Sequence, residues 1–564
     1  MSASTASAPR FARALLRPGA GESSAPRSLR RGAALLAAAA GGALLDVASP
    51  GLAWWPLALP AVVLVLAAVW QQRAGFGLVA GLVAGAVFWA LQISWLTLYL
   101  GPIPWLALSA LMTLWFGLGG ALIAAATRTL ALWLLGPESP AGLARRGGLV
   151  AVLQSAVASG LWVLREQVQG SSPYGGYPWG RVAHLFSGTP LEQSVSWLGF
   201  AGLSGLIVFT CALPVAACFR LARPANAAPA RRSFGLRAVG ASLALLAVLA
   251  LVPIAPLSES GALRVAAVQG NSKSAIFDDR ESGSVIRDHL DATTRLVDEL
   301  EARGESVDVI VWPENSAEFE VRSDPRNSQR IERLAARAGA PIVLGSVLRD
   351  SEGGADVFTN SALVWDAQGD TGVRYDKRYP VPFAEYMPNR EFFHAIVPDL
   401  IDLVQLDYTP GTRPAAFGVD TPSGPVQAGL AICFDIIFDQ QAVAMVGDDA
   451  EVILAQTNNA DFGRTDESAQ QLAIARLRAV ETGRALVNIS TVGTSAIVLP
   501  NGQSIDALAP HTAGAMVAEV PLVTGETPAL RFGAAIAGFW LAVGAFGLLV
   551  PVTMRIAMRA APRG

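Results

Sequence analysis

The sequence predicts a polytopic α-helical membrane domain of about eight spans, joined to an α/β sandwich that lies outside the bilayer. Three observations point there. Hydrophobic residues make up 52% of the 564-residue chain and charged residues only 15%, an apolar excess for a water-soluble protein. Charge is also segregated: residues 1–257 hold five acids against 17 arginines, while residues 258–530 hold 40 acids against 21 basic residues. Finally, from Leu263 the long apolar runs give way to short β-rich runs alternating with amphipathic helices. The polar part carries a net charge of −19, which excludes nucleic acid as a partner, because phosphates need cationic surfaces.

A helix needs about 20 apolar residues to cross the hydrocarbon core. Such runs fall at roughly 32–49, 53–71, 75–99, 104–127, 147–165, 194–219 and 236–256, with an eighth at 531–554. The first two are separated by little more than "SPG" and could form one bent hairpin. Arginines mark the sides: Arg73, then Arg128, Arg145 and Arg146, then Arg220, Arg223, Arg231, Arg232 and Arg237 follow the second, fourth and sixth runs. The opposite connections, around "ASPG" and "LGPIPW", carry no charge. The positive-inside rule then places both termini in the cytoplasm and residues 258–530 outside. The expected domains are a disordered cytoplasmic tail at 1–31, seven spans within 32–257, the outer domain at 258–530, a last helix at 531–555 and a short cytoplasmic tail at 556–564. The tail is not expected to be a cleaved secretory signal, because the span after it is long and no small-residue cleavage site ends that span.

In the outer domain the strand candidates are "LRVAAVQ", "VDVIVW", "PIVLGSV", "NSALVWD", "VQAGLAIC", "EVILAQT", "ALVNIS" and "TSAIVLP". Helical patterns fall at 282–303, 325–338, 438–447 and 466–483. Strands this apolar are buried by helices on at least one face, hence the sandwich.

Three strand ends bring chemically active side chains into a polar setting: Glu314 in "VIVWPENS", Lys377 in "VRYDKRYPVPFAEYMP" and Cys433 in "LAICFD". Each alone is ordinary: a buried thiol packs, a glutamate after Trp-Pro caps a turn, and a lysine is a solvated charge. Lysine is rare here, however, with only Lys273 and Lys377 among 42 basic residues. A codon bias toward arginine accounts for the other forty but not for the retention of 377. An ammonium is a compact charge whose pKa can be tuned, so Lys377 could favour a Cys433 thiolate and donate to an oxyanion, with Glu314 as proton acceptor. Cys211 and Cys218 lie in an apolar run, and the four histidines are scattered, so neither a disulfide framework nor a metal site is expected. No cofactor is expected either.

Together "WPENS", "DKRYPVPFAEYMP" and "ICFD" resemble the three catalytic segments of the nitrilase superfamily, which carries a Glu–Lys–Cys triad on an αββα sandwich. With the spans around it, and with "YPWGRVAH" and "ARLRAVETGRALVNISTVGTSAIV", the chain over about residues 32–555 is similar to the apolipoprotein N-acyltransferase family. The resemblance implies Cys433 as nucleophile, Glu314 as general base and acid, Lys377 as oxyanion donor, and Glu385 as a supporting second glutamate. The backbone N–H of Phe434 would complete the oxyanion hole. It implies a phospholipid acyl donor, a thioester intermediate, a diacylglyceryl-modified apolipoprotein acceptor, and residence in the bacterial cytoplasmic membrane. A polyprenol-phosphate mannosyl transferase is fused or paired with some actinobacterial relatives, which makes it a possible partner. Two departures stand out. Relatives often read Cys-Tyr-Glu where this chain has Cys433-Phe434-Asp435, and Asp461 stands where a bulky aromatic is common. Both bear on substrate choice.

Lipid contact has its own candidates. Tyr177 and Trp179, with Tyr174, form either an interfacial aromatic belt or a substrate contact. Phe383, Tyr386, Met387, Phe392, Phe393, Ile396, Val397 and Leu400 form either a core helix or a lid dipping into the outer leaflet. Two rival functions share the motifs: a membrane-anchored amidase hydrolysing a small amide, and a catalytically dead module that binds lipoproteins. Several spans exceed what an amidase of soluble substrates needs, and an intact Glu/Lys/Cys set argues against the dead module.

Overall fold

The computed structural model describes residues 27–134, 140–221, 228–275, 278–279 and 281–560. The expected N-terminal tail therefore falls largely outside the described residues, at 1–26, whereas of the expected C-terminal tail residues 556–560 belong to helix Pro528–Ala560 and 561–564 fall outside. Among the described residues seven helices have the length and apolarity of membrane spans: Arg31–Ala48, Ala74–Gln92, Pro102–Leu132, Gly148–Gln169, Glu192–Phe219, Phe234–Leu251 and Pro528–Leu549. This is a multi-pass membrane protein. The run expected at 53–71 is instead a shorter apolar helix, Trp55–Val69, opened by a 3-10 turn at Trp55–Leu57 with a proline in it. Small residues set the close packing. On helix Ala74–Gln92, Gly77, Gly81 and Gly85 recur every fourth residue and lie against helix Pro102–Leu134. A Cβ on Gly120 would sit 2.7 Å from the Gly77 carbonyl oxygen, so backbone meets backbone there.

The polar part is two six-stranded sheets packed face to face, with helices outside. Its strands are β1 (Ser258–Gln269), β2 (Val309–Val311), β3 (Ile342–Glu352), β4 (Ala355–Asp366), β5 (Gly369–Asp376), β6 (Ala416–Thr421), β7 (Gly424–Ile432), β8 (Val452–Thr457), β9 (Ala485–Ser490), β10 (Ser495–Val498), β11 (Ser504–Leu508) and β12 (Gly514–Thr524). The sheet orders are β12-β1-β2-β3-β4-β5 and β11-β10-β9-β8-β7-β6. Parallel pairs occupy the centre of each sheet: β1 with β2, β2 with β3, β7 with β8 and β8 with β9.

The period of two explains the layers. In the first sheet Val265, Ala267, Val309, Val311, Val343, Ala362 and Val364 join the core shared with the second sheet. Their neighbours Ala266, Val268, Ile310, Ile342, Leu344 and Leu363 pack instead on helices Ser284–Arg303 and Pro325–Ala338. Both faces are buried, which is why these strands read as continuous apolar runs. On the second sheet, helix Glu467–Thr482 is buried nearly all round. Its other side meets the membrane part, where the Ser187 hydroxyl donates to the Ala473 carbonyl at 2.9 Å. Arg478 stacks 4.2 Å over Phe200, and Arg181 and Arg478 pair with Asp439 at 2.8 and 2.7 Å. The sandwich is thus seated on the membrane helices by buried charge as well as by apolar contact.

Candidate active site

Glu314, Lys377 and Cys433 come to one place because three strands end at the same edge of the sandwich. β2 ends at Val311 and the chain continues through Trp312 and Pro313 to Glu314. That loop is fixed from both sheets: Trp312 N–H donates to Val343 O at 2.8 Å, and Gln456 Nε2 donates to Trp312 O at 2.6 Å. It lies so close to β3 that a Cβ on Gly345 would stand 2.7 Å from Pro313 O. β5 ends at Asp376, and Lys377 follows, its N–H donating to Asn360 O at 2.8 Å. β7 ends at Ile432, and Cys433 opens a 3-10 turn, Cys433–Ile437.

The carboxylates converge on the lysine. Lys377 Nζ lies 3.1 Å from Glu314 Oε1 and 2.8 Å from Glu385 Oε2, and Lys377 is 2% exposed. Asn360 on β4 joins them, its Nδ2 donating to Glu314 Oε1 at 2.7 Å and to Glu385 Oε1 at 3.0 Å. Glu385 Oε2 also accepts from Val381 N–H at 2.7 Å, which closes the lysine loop on itself. Burial alone would lower the ammonium pKa, but Glu314 and Glu385 outweigh it and hold Lys377 well above its ordinary value. Burial pushes Glu314 up, opposed by the Lys377 charge and assisted by Glu385. A carboxyl raised in this way is a better proton acceptor than an ordinary glutamate.

Cys433 has φ +50°, a left-handed conformation that a non-glycine residue holds only when its surroundings enforce it. Asp435 supplies much of that enforcement. Fully buried, its Oδ2 accepts from Ile432 N–H at 3.0 Å and from the Tyr375 hydroxyl at 2.7 Å, and its Oδ1 accepts from Tyr379 N–H at 2.9 Å. Asp435 therefore ties the cysteine turn to the lysine loop, and burial raises its pKa to about 6. The Cys433 thiol is pushed well above its ordinary pKa, first by burial and then by the Glu314 charge, with Lys377 opposing. At rest it is a thiol rather than a thiolate.

Phe434 sits in a run of rings. Trp179 stacks on Tyr177 at 5.7 Å, Tyr177 on Phe434 at 6.2 Å, Phe434 meets Phe438 edge-on at 5.2 Å, and Phe438 stacks on Tyr379 at 4.1 Å. Tyr177 and Trp179 are buried rather than facing lipid, separated from Cys433 by one ring and by two. Trp179 Nε1 donates to Gln470 Oε1 at 2.8 Å. Beside Asp461, Phe462 provides the aromatic of that loop, packing edge-on against Trp95 at 4.8 Å.

The segment after Lys377 makes a small core of its own from Met387, Ile401 and Val404, with Phe383, Phe393 and Val397 against it. Phe383 packs edge-on to Tyr174 at 5.7 Å, and Tyr386 O accepts from Phe383 N–H at 2.8 Å. Phe392 and Ile396 point outward at 63% and 60% exposure. The alternatives of core helix and lid both describe part of it: one face packs and the other is open.

Sequence reasoning missed Asn360, Glu467 and Gln471. All three are buried near the triad, with no signal beyond the strand "NSALVWD" and the helix "DESAQQLAIARLRAVETGR" that hold them.

The sequence matches two family models, "Apolipoprotein N-acyltransferase N-terminal domain" over residues 41–213 and "Carbon-nitrogen hydrolase" over residues 264–528. It is 31% identical over 538 residues to the apolipoprotein N-acyltransferase of Mycolicibacterium smegmatis, covering 93% of this chain and 86% of that one. It is 30% identical over 536 residues to the enzyme of that name from Geobacter metallireducens, covering 91% and 93%. Among solved structures, an amidase of the nitrilase superfamily from Nesterenkonia AN1 aligns with 50% of this chain and 99% of its own, at 18% identity and a TM-score of 0.35.

Proposed function

Because the chain belongs to the apolipoprotein N-acyltransferase family, we propose that it moves an acyl chain from a phospholipid, through a thioester on Cys433, to the N-terminal amine of a diacylglyceryl-modified lipoprotein cysteine. The observation that carries the chemistry is a single buried ammonium, Lys377, shared by Glu314 and Glu385 next to the constrained Cys433 turn.

In the first half-reaction Glu314 takes the thiol proton as the Cys433 sulfur attacks the ester carbonyl. A C–S bond forms, and the tetrahedral oxyanion is met by the Lys377 ammonium and the Phe434 backbone N–H. The ester C–O bond then breaks, and the lysophospholipid oxygen leaves with the proton held by Glu314. In the second half the acceptor amine attacks the thioester carbonyl and gives its proton to Glu314. The C–N bond forms, the C–S bond breaks, and the Cys433 sulfur recovers a proton from Glu314. Glu385 and Asn360 hold the ammonium and Glu314 in register and take no proton.

Arginine placement supports cytoplasmic termini and a sandwich outside the cytoplasmic membrane, where donor headgroups and acceptor lie. A polyprenol-phosphate mannosyl transferase is the protein partner to seek by co-purification. The deciding experiment incubates the purified protein with an alkyne-tagged phospholipid and maps the tag by mass spectrometry. The expected result is a thioester on Cys433 that is absent in Cys433→Ala and is discharged by a diacylglyceryl lipopeptide with amide formation. No adduct on the wild type, or the same adduct on Cys433→Ala, overturns the mechanism. Discharge by water at the same rate as by the lipopeptide favours the amidase.

A further inference from the structure

One polar cluster near the triad has no part in the steps above. Gln471, 3% exposed, directs its Nε2 at the Cys433 sulfur from 3.6 Å. Its amide cannot turn freely, because Gln471 Oε1 accepts from Asn459 Nδ2 at 2.8 Å. Asn459 is pinned in turn: the same Nδ2 donates to Glu467 Oε2 at 2.8 Å, so both of its hydrogens are used. On its other side Asn459 Oδ1 accepts from the Ser490 hydroxyl at 2.7 Å and the Thr457 hydroxyl at 3.1 Å. The acceptor on Asn459 fixes its donor side, and its donor side fixes Gln471 with an N–H toward sulfur.

We propose that Glu467, Asn459 and Gln471 form a relay that aims a hydrogen-bond donor at the Cys433 sulfur, with Glu467 governing by its protonation state how readily the thiolate forms. Gln471 touches the reacting atom, whereas Asn459 and Glu467 are positioning residues. A donor on sulfur stabilises the thiolate more than the thiol, since a hydrogen bond to an ionised acceptor is the stronger one. It is also placed to receive the thiolate again when the thioester is discharged.

Glu467 adds a switch. It is 4% exposed and faces Cys433, Glu314, Asp461 and the Tyr177 phenol, with no cation among these groups. Burial raises its pKa to about 8, with Asn459 opposing and the Glu314 and Asp461 charges assisting. Below that pH the carboxyl is neutral and adds no negative charge facing the sulfur. Above it, a second negative charge faces the sulfur and opposes ionisation.

The relay presupposes Cys433 as the reactive thiol, so the test uses alkylation, which needs no lipid. The rate of iodoacetamide labelling of Cys433 is followed by peptide mass spectrometry on the full-length protein in detergent, across the neutral-to-alkaline range. Gln471→Met is expected to lower the rate about tenfold throughout, the effect of one hydrogen bond to a charged acceptor. The isosteric Glu467→Gln keeps the acceptor for Asn459 and cannot ionise. Its rate is expected to match the wild type below about pH 8 and to exceed it on the order of fivefold above. A wild-type rate for Gln471→Met, or a Glu467→Gln profile that superimposes on the wild type, overturns the relay; Glu467→Gln decides even where Gln471→Met does not fold. Expected shifts in alkylation from a protein that forms no thioester with phospholipid would leave the relay standing and sink the acyl-transfer reading instead.

Discussion

Lys377 and Phe392 stand fifteen positions apart in sequence and are built on opposite rules. Lys377 is 2% exposed and held by two carboxylates, whereas Phe392 is 63% exposed on a segment whose own core has three buried residues. A buried ion cluster is rigid because any departure leaves a desolvated charge without its partner. A thin satellite core stores little free energy and can open without disturbing the sandwich. Under the proposed acyl transfer, the contrast would separate two tasks: a fixed set of charges around the sulfur, and an apolar entry for lipid chains.

The largest expected effect breaks the rigid half. Lys377→Met removes the cation between Glu314 and Glu385 while keeping most of the side-chain volume. Acylation of Cys433 in single turnover should fall by roughly 10²–10³, the usual loss for an oxyanion donor. Stability should fall by about 3–5 kcal/mol, because the buried Glu314 carboxylate is left facing the half-buried Glu385 carboxylate without a cation between them. Turnover within a few-fold of the wild type would show that the cluster is scaffolding. Asn360→Ala sharpens the same half. It removes the donor shared by Glu314 and Glu385 but leaves the lysine, so kcat should fall about tenfold with little change in KM. A loss confined to KM would move Asn360 from holding the base to binding substrate.

What the sequence disclosed follows the same division between buried and exposed. The eight strands expected from apolar runs are the interior strands of both sheets, and their burial on two faces made them visible. The other four, β5, β6, β11 and β12, are the four sheet edges, and of these only β5 was anticipated, as the strand that ends at Lys377. β11 alternates half-buried and exposed residues and β5 exposes its middle, so neither carries a continuous apolar signal. The second expected span shortened because Pro56 sits in a 3-10 turn that takes up the start of the apolar run. In the site, Glu314, Lys377 and Cys433 were legible because each ends a strand in a distinctive context. Asn360, Glu467 and Gln471 were not, since an amide within a strand or a polar residue on a helix has no local mark of what it will face. Asp435 was noticed as a departure from relatives, yet its fastening of the turn to the Tyr379 backbone depends on a fold that no spacing reveals.

The smallest expected effect bears on the adaptable half and is the cleanest test of the division itself. Phe392 packs edge-on to Phe393 at 5.1 Å and otherwise faces outward, while Phe393 meets Phe383 at 4.9 Å and holds the satellite core. Phe392→Ser therefore removes apolar surface without opening a cavity, and folding stability should change by less than about 0.5 kcal/mol. If this face lies in lipid, burying a Phe side chain there is worth about 1.5–3 kcal/mol, of which only the part gained on donor entry affects rate. Thioester formation from long-chain phospholipid in vesicles should then slow about threefold to tenfold. Iodoacetamide labelling of Cys433 and acylation by a short-chain, water-soluble donor should stay unchanged, because neither uses the entry. Equal losses with both donors would place Phe392 with the chemistry and erase the division; no loss with either would leave the exposed face without a part in lipid capture.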